Sequence, residues 1–323
     1  MALVLLVATG ATLNGQTNAG AEGALTSYSR TTGVFGKLNS VGSDTLNGLM
    51  NAWAEAFRQR YPNAVIQIEG KGSATAPPSL IQGTAQIGPM SRTMRRDEVD
   101  AFRRSFGYPP TRIAVALDAL AVFVHRSNPL PGLTLAQLDG LYSVTRYKEG
   151  PAIRDWRDLG LRTTWDGRRI VLFGRNSASG THATFKRSVL LDGDFRPEVK
   201  ELLGSTAVVL GVSEELAAIG YAGVGSRFPG VRIVPLQGAD GRFYTPSREH
   251  CVDGSYPLAR SLFVYVNRPP GAPLDRLTYE FLQFILSAEG QALVPDLGYY
   301  ALPSGEAREM LRLLGPAPEQ TSP

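Results

Sequence analysis

Ile170-Val171-Leu172-Phe173-Gly174-Arg175-Asn176-Ser177-Ala178-Ser179-Gly180-Thr181, running on to Leu191, reads as three units in a row. Ile170–Phe173 is a short apolar run of the kind a buried strand needs. Thr181–Leu191 carries the signals of a helix. Between them lie small and polar residues only, with one arginine. A strand, a small-residue loop and a helix in this order make a natural anion cradle. The unpaired N–H groups of the first helical turn point outward, and the helix dipole favours negative charge there. Glycine admits a close backbone approach and hydroxyls add donors without bulk. Arg175 adds a planar charge with paired donors suited to an oxyanion.

Two further segments share this character. Val41-Gly42-Ser43-Asp44-Thr45-Leu46 precedes a helix marked by Leu46, Leu49, Met50, Trp53, Phe57 and Tyr61 and stopped by Pro62. Ser43, Asp44 or Thr45 can cap it. Gly70-Lys71-Gly72-Ser73-Ala74-Thr75 follows a short strand, Val65–Ile68. Taken singly, each loop is as readily an ordinary turn or cap. Three of them in one chain, with an arginine among them, point to an anion site.

Outward from these loops, strand and helix signals alternate. Arg95–Phe106 is an amphipathic helix closed by Gly107. Ile113–Val124 is nearly continuous apolar sequence interrupted by Asp118, a buried strand. Strands are expected at Ile219–Ala222, Ile233–Pro235 and Leu262–Val266, and helices at Ser213–Ala218, Leu274–Leu286 and Ala307–Leu314. The alternation argues an α/β architecture.

The chain has 323 residues, enough for two lobes, with 43% hydrophobic and 19% charged residues. Its net charge of +4 is scattered, without the basic, aromatic-interleaved run of a nucleic-acid binder. Cys251 is the single cysteine, so no disulfide framework exists. His250 adjoins it, but His125 and His182 lie far off in sequence, and no metal-ligand set is formed. Met1–Ala8 (MALVLLVA), followed by small and polar residues through Ala21, has the form of an export leader lacking its usual basic start. The run is too short to span a membrane. Since no cysteine follows it, a lipid anchor is not expected. Residues 1–37 are read as leader and flexible tail.

In order and spacing, the chain from Leu38 to Pro303 resembles the PstS-type phosphate-binding proteins of ABC importers. The resemblance rests on VGSDTL (41–46), GKGSATA (70–76), IGPMSR (87–92), LDALAVFV (117–124), GRNSASGTHATF (174–185), IGYAGVG (219–225), YPLARSLFVYVN (256–267) and LSAEGQALVPDLGYYALP (286–303). It implies an α/β, two-lobed periplasmic-binding-protein (type II) fold with the ligand in the cleft. Lobe one would comprise 38–122 plus 258–323, and lobe two 123–257, with crossings at Ala119–Val124 and Leu262–Val266. It implies phosphate contacts from Thr45, Leu46, Ser73, Ser91, Arg175, Ser179, Gly180 and Thr181.

Two positions depart from the family pattern. Ser91 stands where the best-known members place an aspartate that accepts phosphate's proton, which leaves Asp44 or Asp118 as alternative carboxylates. Ser177 stands where some members carry an acid that holds the arginine. The implied partners are inorganic phosphate and a membrane ABC permease, with no nucleic acid, no cofactor and no metal. The expected product is a soluble, monomeric, periplasmic or secreted protein. Another tetrahedral oxyanion or a phosphate ester is the alternative ligand. A hydrolase using Ser179 with His182 is the alternative class, although the Gly-x-Ser-x-Gly elbow is absent.

Overall fold

The computed structural model describes residues 24–226 and 228–318, so the expected leader through Ala21 lies outside the described residues. The segment from 24 to 35 differs from the free tail that its composition suggests. Tyr28 packs its ring near Phe57, Tyr61 and Phe284, and its hydroxyl donates to Glu280 at 2.8 Å. The ring packs while its polar tip finds an acceptor, and the Tyr28 and Thr31 amides add bonds to Glu289 at 2.7 Å and to the Tyr61 hydroxyl at 2.9 Å.

In chain order, β1 (Gly36–Gly42), α1 (Asn47–Arg60), β2 (Ala64–Gly70), α2 (Ala76–Ile81), β3 (Ile87–Met90), α3 (Arg96–Phe106) and β4 (Thr111–His125) come first. Next are α4 (Leu135–Tyr142), β5 (Val171–Arg175), α5 (Gly180–Ser188), β6 (Lys200–Leu202), α6 (Ser205–Glu214), β7 (Ala218–Gly223) and β8 (Val231–Val234). The chain then forms β9 (Leu236–Gln237), β10 (Phe243–Tyr244), α7 (Arg248–Val252), β11 (Ala259–Val266), α8 (Arg276–Leu286), α9 (Ala288–Ala292) and α10 (Ser304–Leu313). α6 lies earlier than the expected Ser213–Ala218. Gly204 turns the chain out of β6 at φ 80, and Val208, Val209 and Val212 then bury on one helical face. A valine-rich stretch reads as strand because β-branching lowers helix preference. Burial against β7 overrides that preference.

Among the described residues, nine strands form one sheet along the path β2-β1-β3-β11-β4-β7-β5-β6, with β8 also paired to β4, while β9 and β10 pair apart as a two-stranded sheet. β4 carries the architecture. Its residues Thr111–Ala119 pair antiparallel with β11, and Leu120–Val124 pair antiparallel with β7. Each half of β4 belongs to a different core. One core gathers Trp53, Phe57, Ile113, Val115, Leu262, Phe281 and Phe284, and the other gathers Leu120, Phe123, Trp156, Phe185, Tyr221 and Leu258. The fully buried acid Asp118 lies between the last β4 residue of the first core, Leu117, and the first of the second, Ala119.

The return path differs from expectation. Leu262–Val266 is wholly paired with β3 and the first half of β4, so the chain changes core between Leu258 and Leu262. The apolar run marks a central strand buried by its neighbours, which sequence cannot separate from a crossing.

α1 packs on the first core through Phe57, whose ring lies 5.3 Å from that of Phe281. Trp53 ties α1 to α9 by donating its indole N–H to Gly290 O at 2.7 Å. Among the described residues, no helix is long and apolar enough to cross a membrane.

Candidate anion-binding site

Parallel pairing aligns the carboxyl ends of β1 and β2, with Gly42 opposite Gly70, and β3 runs parallel on the other side of β1. The loops that follow these strands therefore gather at one edge of the sheet, where open α/β sheets place their ligands. They carry Asp44, Thr45 and Leu46, then Ser73, then Ser91. From the other half, β5 ends at Arg175 and feeds Ser179–Thr181 into the start of α5.

The two sets meet. Thr45 Oγ1 lies 3.1 Å from Thr181 Oγ1. The Ala74 amide donates to Ala178 O at 3.2 Å. Ser73 and Ser91 share a hydroxyl contact of 3.3 Å, and the Ser91 amide donates to Ser73 Oγ at 3.0 Å. Gly180 faces both: a Cβ built on it would stand 2.4 Å from each of these hydroxyl oxygens. All of the sequence-implied contact residues, Leu46 and Gly180 included, are buried.

The loops do not behave as ordinary caps throughout. No side-chain cap is made at the start of α1, because Asp44 and Thr45 are engaged elsewhere. Ser179 is a true cap, accepting from the amides of Thr181 and His182 at 3.1 and 3.5 Å. Its oxygen is thus occupied by backbone rather than by the His182 ring, which lies tilted against Phe195 with ring centroids 4.6 Å apart. No nucleophile–base pair is formed between Ser179 and His182.

Arg175 is held by the acid of the first loop. Its Nη2 pairs with Asp44 Oδ2, and its Nη1 donates to Ser205 Oγ at 2.7 Å. Asp44 thereby supplies the partner that Ser177 cannot. Asp118 makes a second ion pair, with Arg260, at 2.7 Å. Arg260 is the residue that the sequence reading missed. It sits in the quoted YPLARSLFVYVN segment, but nothing local separates it from a surface arginine. Burial lowers the pKa of Arg175, opposed by the Asp44 carboxylate beside it. Burial likewise pushes the Asp118 carboxyl up, opposed by Arg260.

Several polar groups of the site have no partner among the described residues. They are Asp44 Oδ1, Arg175 Nε, Arg260 Nη1 and Ser43 Oγ. Buried groups of this kind are otherwise satisfied nearly everywhere in proteins. Beside the loops opens a cavity of about 450 Å³ whose lining includes Arg92, Arg96, Lys186, Arg187 and the single acid Asp192. Among the described residues, no group of three or more His, Cys, Asp or Glu is placed to hold a metal.

His182 gives a pH signature. Burial first, then the charges of Lys186 and Arg175, lowers its pKa from 6.5 to about 4. The folded state therefore resists a proton that the unfolded chain takes up below pH 6.5. The stability contributed by the neutral ring is full above that pH and is lost as pH falls toward about 4. Melting temperatures of the native protein should drop faster from pH 7 to pH 4.5 than those of His182→Gln. Parallel curves would show the ring to be freely solvated.

A family model described as a PBP superfamily domain matches residues 14–289. The chain is 47% identical over 294 residues to the phosphate-binding protein PstS of Pseudomonas aeruginosa, covering 90% of this chain and 91% of that one. It is also similar to a Clostridium perfringens protein solved with bound phosphate and assigned as a phosphate ABC transporter substrate-binding protein. That match has a TM-score of 0.70 and 25% identity, over 83% of this chain and all of that one. An ABC-type phosphate transport receptor of Vibrio cholerae shares the fold, with a TM-score of 0.64 at 23% identity, over 82% of this chain and all of that one. Together with the two cores joined through β4 and the anion-receptive loops between them, these matches show that the chain belongs to the PBP superfamily, among its PstS-type phosphate-binding proteins, a family of binding proteins with the two-lobed type II fold.

Proposed function

We propose that this protein binds inorganic phosphate outside the cytoplasm, closes its two lobes on the anion and delivers it to a membrane ABC permease. The lobes, expected as 38–122 plus 258–323 and 123–257, are assigned with their boundaries moved to Asp118/Ala119 and to the stretch between Leu258 and Leu262, where the two cores part, and the protein is assigned as a soluble monomer. One observation carries the reading. Residues from both halves converge on a buried place that holds unpaired donors, with one unpaired carboxylate oxygen among them. An anion that touches both halves makes all its contacts only in the closed state, and so favours that state. Each hydrogen bond to the charged ligand contributes roughly 1.5–3 kcal/mol, offset by desolvation and by the cost of closure. The neighbouring basic cavity offers an incoming anion a favourable approach.

Asp44 Oδ1 is assigned as the acceptor for the proton that phosphate carries and sulfate lacks. Ser91 is already committed to Ser73, and both oxygens of Asp118 are occupied, by Val224 N–H and Arg260. Asp44 has one oxygen on Arg175 and one without a partner. Calorimetric titration should give tight binding of phosphate and arsenate and much weaker binding of sulfate. In Asp44→Asn, the phosphate-over-sulfate ratio should fall about tenfold or more, near 1.4 kcal/mol. Sulfate binding as tight as phosphate in the unaltered protein would remove the phosphate reading in favour of a general oxyanion receptor. An unchanged ratio in the variant would remove only the role of Asp44.

A further inference from the structure

We infer that Arg260 is a second ligand-binding cation of this site, contributed by the strand on which the chain returns from one core to the other. The inference rests on the phosphate reading above and assigns a contact that the family resemblance did not supply.

Arg260 stands opposite Asp118 in the β4–β11 ladder, at the junction of the two cores. Its side chain is only 7% exposed. If its task were only to neutralise Asp118, a fork-to-fork pairing with both carboxylate oxygens would serve best. The observed geometry is different. Nε and Nη2 both converge on Asp118 Oδ2, at 2.9 and 2.7 Å, while Asp118 Oδ1 takes the Val224 amide at 3.2 Å. Nη2 also donates to Thr181 Oγ1 at 2.9 Å, and Nη1 is buried with no partner among the described residues. A buried guanidinium N–H without an acceptor is unfavourable unless something arrives to take it.

The surroundings name what would arrive. Thr181 is the hydroxyl that also meets Thr45 across the interface. Arg260 is therefore one bond from a residue at the meeting of the two halves. The positive charge of Arg260 also acts on Arg175, lowering its pKa, so the two guanidinia share one field. Each is matched by one acid, Asp44 or Asp118. The four side chains are thus formally neutral together, and each arginine keeps one unpaired nitrogen. A small oxyanion with several acceptor oxygens satisfies both. Thr181 lies in the first turn of α5, which packs on the second core through Phe185, whereas Arg260 belongs to the strand leading into the first. Their bond requires the two halves to be together, so an anion held by both arginines favours closure.

The test separates ligand contact from mere neutralisation of Asp118. Phosphate affinity is measured by calorimetry for the full chain, Arg260→Gln, Arg260→Lys and the double variant Arg260→Gln/Asp118→Asn, with melting curves recorded without phosphate. A ligand contact predicts about tenfold or greater weakening in Arg260→Gln, partial recovery in Arg260→Lys, and weakening that persists in the double variant although its buried charge imbalance is gone. Recovery of full affinity in the double variant would overturn the inference, leaving Arg260 as the counter-ion of Asp118. Should Arg260→Gln fail to fold, the double variant alone decides. Failure of the unaltered protein to bind phosphate would instead remove the functional reading, and this one with it.

Discussion

Arg175→Ala is expected to weaken phosphate binding by about a hundredfold or more, near 2.7 kcal/mol, in a calorimetric titration against the unaltered protein. The magnitude follows from burial rather than from one lost contact. The Arg175 side chain is 1% exposed and paired with Asp44. Its removal takes away a charge-assisted partner for the ligand and leaves the Asp44 carboxylate unbalanced, where it would repel an incoming anion. Truncating one member of a buried charge pair commonly costs 2–5 kcal/mol, much of it from the partner left behind. Arg175→Lys should recover little, because an ammonium cannot hold Asp44 and Ser205 through separate nitrogens while offering another to the ligand. Near-native affinity of Arg175→Ala would place the guanidinium outside the site.

Gly180→Ala is expected to lower phosphate affinity about a hundredfold while leaving the phosphate-free melting temperature unchanged or slightly raised. These opposite signs make the variant informative. Gly180 is the first residue of α5, and alanine is the better helix former by roughly 1 kcal/mol within helices. The added methyl would nevertheless stand 2.4 Å from both Ser73 Oγ and Ser91 Oγ and 3.1 Å from Ser73 Cβ. Ser73 cannot swing aside freely, since it is fully buried and its oxygen takes the Ser91 amide. Overpacking by one methyl costs about 1–3 kcal/mol, and here the cost falls on the contact between the two halves rather than on either core. Native affinity in Gly180→Ala would mean that the loops do not need to meet at this point for the ligand to be held.

The sequence carried most of the local structure. Pro62 and Gly107 mark the ends of α1 and α3, and the 3.6-residue spacing of Leu49, Met50, Trp53 and Phe57 fixes the buried face of α1. The shift of α6 has a local cause that spacing alone does not reveal. Its valines carry little helix preference of their own, and Val208, Val209 and Val212 take a helical face only where they can be buried. Tyr28 is similar: a lone aromatic in a polar stretch gives no sign that Phe57 and Phe284 lie beneath it.

The composition of the loops was legible because it is a property of neighbours in the chain. Hydroxyls, glycines and one arginine next to helix starts advertise anion-receptive backbone whatever surrounds them, and the structure brings Thr45, Ser73, Ser91, Arg175, Ser179, Gly180 and Thr181 to one place. The electrostatic pairing was decided by tertiary structure alone. Asp44 and Arg175 are 131 residues apart, and Asp118 and Arg260 are 142 apart. In the sequence Asp44 is a candidate cap and both acids are alternative carboxylates for the ligand, and neither has a visible basic partner until strand register and core packing bring a guanidinium to it. Propensity acts over a few residues, whereas a buried charge selects its partner across the whole fold, because in a low-dielectric interior a charge left unpaired is strongly penalised.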